Sequence, residues 1–224
     1  MNKCIQCANP IHEALSIFNF YKPSQQFCET CEKQWQSIKL DTNDKRCIRC
    51  LNFKTKASDE CLDCKFLNQQ FTLMSQLYCD YKYDGIMKET IHHYKFMKDC
   101  YLAEVLASKL TLPKTSYDYI VPIPSPYKRD EARTFNPVTT VLDKMGVDYL
   151  DVLGTHSRPK QSKLGKRERF KADNPFYLKE KIDITNKDIL LVDDIYTTGL
   201  TVHYAGSVLC NKNVRKFKVF AFSR

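Results

Sequence analysis

The stretch ILLVDDIYTTGLT (Ile189–Thr201) decides how this chain folds. Four apolar residues, Ile189 to Val192, form the continuous run expected of a strand buried on both faces. Asp193 and Asp194 emerge at its end. A turn from Ile195 to Gly199 follows, with Thr197 and Thr198 in it, and Thr201 falls near the N-terminus of a helix. Unpaired backbone N–H groups at such a turn and helix start form a cradle for an anion. Gly199 lets the backbone approach phosphate closely, and the three threonine hydroxyls can donate to its oxygens. The two acids repel phosphate. They suit ribose hydroxyls instead, or a Mg²⁺ that offsets a pyrophosphate. The loop is therefore expected to hold a phosphosugar. Two other readings stay open. An acid pair after an apolar strand also occurs in receiver-type phospho-acceptor domains, where it lies on the first strand, without a Thr-Thr-Gly turn. A strand–turn–helix can also carry no ligand at all.

Outward from this stretch, strands and helices alternate. Lys216–Phe222 (KFKVFAF) reads as the last strand, with Thr201–Leu209 as the helix before it. Tyr117–Ile123 (YDYIVPI) reads as a buried strand, and Pro122, Pro124 and Pro126 set a rigid, non-helical exit. Pro137–Lys144 is expected to be helical and to stop at Gly146. Val147–Val152 and Phe176–Leu178 are expected as short strands. Gly85–Lys98 places Ile86, Met87, Ile91 and Tyr94 or Lys95 at helical spacing, and Tyr101–Leu110 does so with Leu102, Val105, Leu106 and Leu110. Gln76–Lys82 reads as a strand after a connector at 65–75. The pattern predicts an α/β domain, a parallel sheet flanked by helices. Ligands of such sheets sit beyond the carboxyl ends of the strands, which nominates the ends of 117–123 and 188–192.

The chain has 224 residues and 11 cysteines, enough for this domain and a small second one. Eight cysteines form four Cys-x-x-Cys pairs: Cys4/Cys7, Cys28/Cys31, Cys47/Cys50 and Cys61/Cys64. Each pair sets two sulfurs on one tight turn, and two facing turns close a tetrahedral zinc site. Disulfides would need an oxidising compartment. A redox Cys-x-x-Cys normally occurs once, and the familiar iron–sulfur runs are spaced differently. Two structural zinc ions are expected. The short gap between Cys50 and Cys61 favours sequential pairing over a crossed arrangement. Zinc would supply the folding energy that a ~65-residue loop-rich segment lacks. The expected division is residues 1–70 for the zinc module and 71–224 for the α/β domain. Cys79, Cys100 and Cys210 read as packing residues.

Formal net charge is +9, compatible with nucleic acid, anionic substrates or anionic membranes. Basic residues crowd the segment from Arg158 to Lys181, which reads either as a solvated loop or as an anion-binding flap. Phe18, Phe20, Tyr21, Phe27, Trp35, Phe53 and Phe66 either pack the small zinc domain or stack on bases. No apolar run reaches the ~18 residues that span a bilayer, and MNKCIQCANP does not read as a secretory signal. A soluble cytoplasmic protein is expected.

Residues 189–201 resemble the signature for 5-phosphoribosyl-1-pyrophosphate (PRPP) in type I phosphoribosyltransferases. With VPIPSPYKRDEARTFNP (121–137), RPKQSKLGKRERFKADNPF (158–176), Tyr94-Lys95-Phe96 and the cysteine pairs, the whole chain resembles the ComF family of competence proteins, in its ComFC branch. The resemblance implies a type I phosphoribosyltransferase fold behind a small zinc-binding domain. Asp193 and Asp194 would face the ribose hydroxyls and a Mg²⁺ bound with PRPP, while Thr197, Thr198, Gly199 and Thr201 would hold the 5′-phosphate. Pro124 and Ser125 would lie on the pyrophosphate side, assisted by Lys128, Arg129 and Arg133. Gln161, Arg167 and Arg169 match a mobile segment that covers the site. The implied role is handling of incoming single-stranded DNA in natural transformation, beside a ComFA-type helicase and other competence proteins. PRPP binding follows more firmly than transfer. A nucleobase phosphoribosyltransferase of salvage and a non-enzymatic zinc-dependent nucleic-acid-binding protein are the alternatives. One departure stands out: Arg133-Thr134-Phe135-Asn136 replaces the family's Arg-Gly-Phe-Asn, so the backbone there is expected to change.

Overall fold

The structure, a computed structural model, describes residues 2–11, 21, 24–41, 46–53, 61–156, 173–179 and 182–224, apart from the side chains of 127–129. In chain order its elements are β1 (Asn2–Lys3), β2 (Pro10–Ile11), α1 (Glu29–Ser37), α2 (Leu62–Leu67), β3 (Leu77–Tyr78), α3 (Gly85–Phe96), α4 (Leu102–Lys109), β4 (Tyr119–Pro122), α5 (Tyr127–Arg133), α6 (Pro137–Lys144), β5 (Leu153–Thr155), β6 (Phe176–Leu178), β7 (Asp188–Ile195), α7 (Leu200–Cys210) and β8 (Lys216–Ser223).

Strands β3, β8, β7 and β4 pair in that order, all parallel, so the predicted α/β class is the observed one. The central strands are sealed: Ile189 to Val192 have no exposed surface, and β8 is buried from Phe217 to Ser223. Side chains alternate across a pleated strand. Leu190, Val192, Phe220 and Phe222 therefore turn to one face, against Ile91 and Tyr94 of α3, Leu106 of α4 and Val141 and Leu142 of α6. Ile189, Leu191, Phe217, Val219 and Ala221 turn to the other, against Val202, Ala205 and Leu209 of α7.

The cysteine-bearing segment contributes to both faces. Cys4, Cys31, Trp35 and Ile38 belong to the first core, and Trp35 meets Tyr81 edge-on at 5.1 Å. Cys47, Cys50, Cys61 and Cys64 belong to the second. The β3 edge holds that second segment directly, through Leu77 N–H donating to Arg49 O at 2.7 Å.

One sequence expectation needs correction, and one element was not foreseen. Residues 147–152 form no strand. Leu150 N–H makes one bond to Ile120 O, and the strand comes later, at β5, paired antiparallel with β6 away from the main sheet. The proline exit is non-helical through Pro126, as expected, but the sequence announced nothing between it and Pro137. It gives way at Tyr127 to α5, about two turns of mostly charged residues whose spacing carries no apolar stripe.

Helix α5 ends on the residue that departs from the family pattern. Thr134 is its C-cap, at φ 75° in the left-handed region. Its N–H donates to Asp130 O at 2.6 Å. The backbone thus keeps the shape a glycine would give it, and a β-branched residue bears the strain, about 1–2 kcal/mol for a non-glycine residue. Asn136 then caps α6, its Oδ1 accepting from Val138 N–H at 2.9 Å and Thr139 N–H at 3.1 Å, with Pro137 at the first helical position. Thr134→Gly is expected to raise stability by roughly 0.5–1 kcal/mol, relief of strain less the entropy of a glycine in the unfolded chain. A urea midpoint at or below the parent's would refute the strain.

Candidate functional site

Strands β4 and β7 run side by side in register, Pro122 opposite Val192. Their carboxyl ends open into a cleft of about 190 Å³ lined by Ser125, Asp193, Asp194, Thr201, Arg133 and Lys95, with Pro124 also on its wall. The two strand ends nominated from sequence thus meet in one place. Thr197, Thr198 and Gly199 are not among the lining residues. They form the turn that leads from the cleft into α7. Gly199 has φ 78° and caps that helix, and Thr198 Oγ1 accepts from Leu200 N–H at 3.5 Å. Lys128 and Arg129 sit in α5, their side chains outside the described set, and Gln161, Arg167 and Arg169 lie outside the described residues.

Lys95 is the residue that sequence reasoning passed over. Its Nζ pairs with Asp194 from the end of α3, and both side chains are largely covered. Arg133 Nε donates to Lys95 O at 2.9 Å, while Asp130 Oδ1 lies 3.5 Å from the same guanidinium and Asp130 Oδ2 accepts from Asn136 at 3.0 Å. Arg133 therefore lines the cleft but also fixes Lys95. A signal for Lys95 did exist. It falls four residues after the buried Ile91, on the inward stripe of an amphipathic helix, where a charge calls for a partner.

The acid pair is electrostatically loaded. Burial and then the Asp194 charge push the Asp193 carboxyl up to about 7, against Lys95 and the Asp194 N–H, which donates to Asp193 Oδ1 at 2.9 Å. Behind the turn, His203 is fully buried. Its Nε2 accepts from Met74 N–H at 3.4 Å, which leaves Nδ1 as the donor to Gly199 O at 2.7 Å. Burial holds its pKa down to about 4, so the ring stays neutral and both bonds persist.

The eight cysteines fall into two groups, Cys4/Cys7/Cys28/Cys31 and Cys47/Cys50/Cys61/Cys64, the sequential pairing. Within each group the sulfurs lie within 4.8 Å of one another. A tetrahedron of thiolates at ~2.3 Å from zinc has sulfurs roughly 3.8 Å apart. The contacts Cys7–Cys28 at 3.7 Å, Cys47–Cys64 at 3.9 Å and Cys50–Cys61 at 3.3 Å fit it and exclude disulfides. Both groups are built alike. A knuckle comes first, in which Cys4 N–H donates to Asn9 O at 2.8 Å and Cys47 N–H to Asn52 O at 2.7 Å, with Ala8 and Leu51 both at φ 59°. A helix start follows, with Cys28 capping α1 and Cys61 capping α2. These residues can hold two structural zinc ions.

A carboxyl raised in the folded state keeps its proton where the unfolded chain has lost it. Its contribution to stability therefore falls as pH rises from about 4 to about 7. Asp193→Asn removes that penalty. It is expected to be more stable than the parent by on the order of a few kcal/mol at pH 8, and by much less at pH 4.5, in urea unfolding. Equal differences at the two pH values would show an ordinary, solvated acid. For the clusters, metal analysis of the full chain is expected to return two zinc ions per molecule. Exhaustive chelation should lower the thermal midpoint and reduce helical dichroism; a chain that keeps both after metal loss would not need the ions to fold.

No family model matches the chain. Competence protein ComFC of Streptococcus pneumoniae (strain ATCC BAA-255 / R6) is 30% identical over 227 residues, 99% of this chain and 100% of the relative. Competence protein ComFC of Bacillus subtilis (strain 168) is 29% identical over 199 residues, 85% of this chain and 80% of the relative. Among solved structures, the allosteric regulatory enzyme of purine biosynthesis aligns over 57% of this chain and 25% of its own, at 12% identity and TM-score 0.34. A hypoxanthine phosphoribosyltransferase from Staphylococcus aureus aligns over 56% of this chain and 62% of its own, at 13% identity and TM-score 0.31. At 30% identity to the pneumococcal protein along essentially the whole of both chains, this chain belongs to the ComFC family of competence proteins.

Proposed function

We propose that this protein binds PRPP in the cleft at the ends of β4 and β7, and serves as a cytoplasmic accessory factor for single-stranded DNA entering during natural transformation. One observation carries the binding reading. Asp193, Asp194, Ser125 and Thr201, which come from separate segments, line a single cleft beside a glycine-capped helix start. Sugar hydroxyls would meet the acids, and the 5′-phosphate would meet the N–H groups and hydroxyls of 197–201. Mg²⁺ bound with PRPP would face the acid pair and offset the pyrophosphate charge. Lys95 pairs with Asp194 and holds its carboxylate in place before a ligand arrives. Asp193, near neutrality, becomes the better acceptor once a cation lies beside it.

The DNA role rests on the two competence-protein relatives and on the net charge of +9. Among the described residues no helix is long and apolar enough to cross a membrane. Residues 1–70 act as the zinc-held module and 71–224 as the phosphoribosyltransferase-like domain. A ComFA-type helicase and other competence proteins are the natural partners. The reading claims PRPP binding and makes no claim of transfer to a base.

Calorimetry with PRPP and Mg²⁺ on the full-length protein tests it. The parent is expected to bind, and the double variant Asp193→Ala, Asp194→Ala to show no measurable heat while its circular dichroism is retained. Binding of equal strength by the double variant would remove the acids from the ribose site. No binding by the parent would sink the reading itself. Pyrophosphate release screened across nucleobases then separates a binder from a transferase.

A further inference from the structure

The turn that leads out of β7 is gripped from behind. Tyr196 is buried, and its N–H donates to Ser223 O at 2.9 Å. Its hydroxyl lies so near Gly199 that a Cβ there would sit 2.3 Å from it. Leu67 reaches the same point, 3.2 Å from that Cβ position. Leu67 ends α2, the helix whose start carries Cys61 and Cys64. Arg224 makes the second connection: its Nε donates to Cys50 O at 2.5 Å, and its guanidinium lies 5.5 Å from the centre of the Tyr196 ring. The two turn residues Tyr196 and Gly199 are thus linked to both halves of one cysteine cluster through one residue each. The knuckle half reaches them through Arg224, and the helix half through Leu67. The other cluster has a different neighbour. Gln6 Nε2 donates to Thr90 of α3 at 3.2 Å, and its cysteines join the core on the opposite face of the sheet.

We infer that the cluster Cys47/Cys50/Cys61/Cys64 is a positioning device for the anion turn. Arg224, Tyr196 and Leu67 pass the geometry of the cluster to residues 196–199. The turn holds its binding shape while those four sulfurs are drawn together around a metal. Gly199 makes the coupling tight, since a left-handed glycine has wide conformational freedom and its place is set by what packs on it. The consequence for ligand affinity rests on the phosphoribosyl reading above. The consequence for the shape of the turn rests on the packing alone.

The test uses full-length, zinc-loaded protein and the variants Arg224→Ala, Arg224→Lys, Leu67→Val and Gln6→Ala. Zinc content, amide exchange over 196–200 without ligand, and PRPP–Mg²⁺ calorimetry are measured on each. Arg224→Ala is expected to keep two zinc ions, to speed exchange in the turn relative to β7, and to weaken PRPP binding by at least about fivefold. Arg224→Lys, which keeps a cation and a donor, should recover part of both effects. Leu67→Val should show the same changes in smaller measure, and decides the matter if Arg224→Ala does not fold. Gln6→Ala should change neither. Exchange in the turn that stays at the parent's rate, or that rises only in step with β7, overturns the inference. Faster exchange in a protein whose parent form binds no PRPP upholds the coupling and removes the phosphoribosyl reading.

Discussion

Water reaches neither face of β7 until its last residues, and the rest of the architecture follows from that limit. Ile189 to Val192 can be sealed only if the strand pairs on both edges and helices cover both faces. The neighbour on one side, β4, runs into prolines. Ile123 supplies its last N–H to β7, at 2.8 Å to Val192 O, and Pro124 has none to give. The ladder must stop there, the strands part, and the cleft opens where the apolar run of β7 gives way to Asp193 and Asp194. Burial and the acid pair are set by β7 and the end of hydrogen bonding by Pro124, and the register of the two strands brings them to one level.

Much of this was legible in the chain. The apolar run, the acid pair and the Thr-Thr-Gly turn announced strand, cleft and helix start. Pro137 to Lys144, closed by Gly146, announced α6, and Gly85 to Tyr94 carried the stripe of α3. What escaped did so for physical reasons. Helix α5 has no apolar stripe, so periodicity is blind to it, and three prolines before it suggest the opposite. Residues 147–152 have strand-like composition, but their backbone meets the main sheet through a single bond, Leu150 N–H to Ile120 O, too few to make a strand. The Lys95–Asp194 pair joins residues 99 positions apart, so a lysine on the inward stripe of α3 signals the need for a partner but not which residue supplies it. Nor could spacing alone reveal that the two cysteine clusters serve opposite faces of the sheet, because that depends on which side of β8 each segment crosses.

The site and its surroundings are not at their most stable. Asp193 is held near neutrality by burial and a like charge, and Thr134 occupies a left-handed position that suits glycine. Strain of this kind persists only where neighbours over-determine it. Here Lys95, Arg133, Asp130 and Asn136 form a bonded chain from α3 to the start of α6. Tyr94, stacked on Phe135 at 4.9 Å and donating to Pro137 O at 3.0 Å, backs it from the core. The same few residues link the wall of the cleft to one face of the sheet, while Tyr196 and His203 link its turn to the other.

The two knuckle-and-helix units share one plan but not one exposure. Cys7 faces solvent and Cys28 is half-covered, whereas all four cysteines of the later unit are sealed. An oxidant, a chelator or a competing metal meets the first unit at its surface and the second only after the chain has opened. The molecule therefore has an outer and an inner cluster, and damage arrives in that order. α3 loses its neighbour first, and the turn beneath Gly199 keeps its support for as long as the domain stays closed.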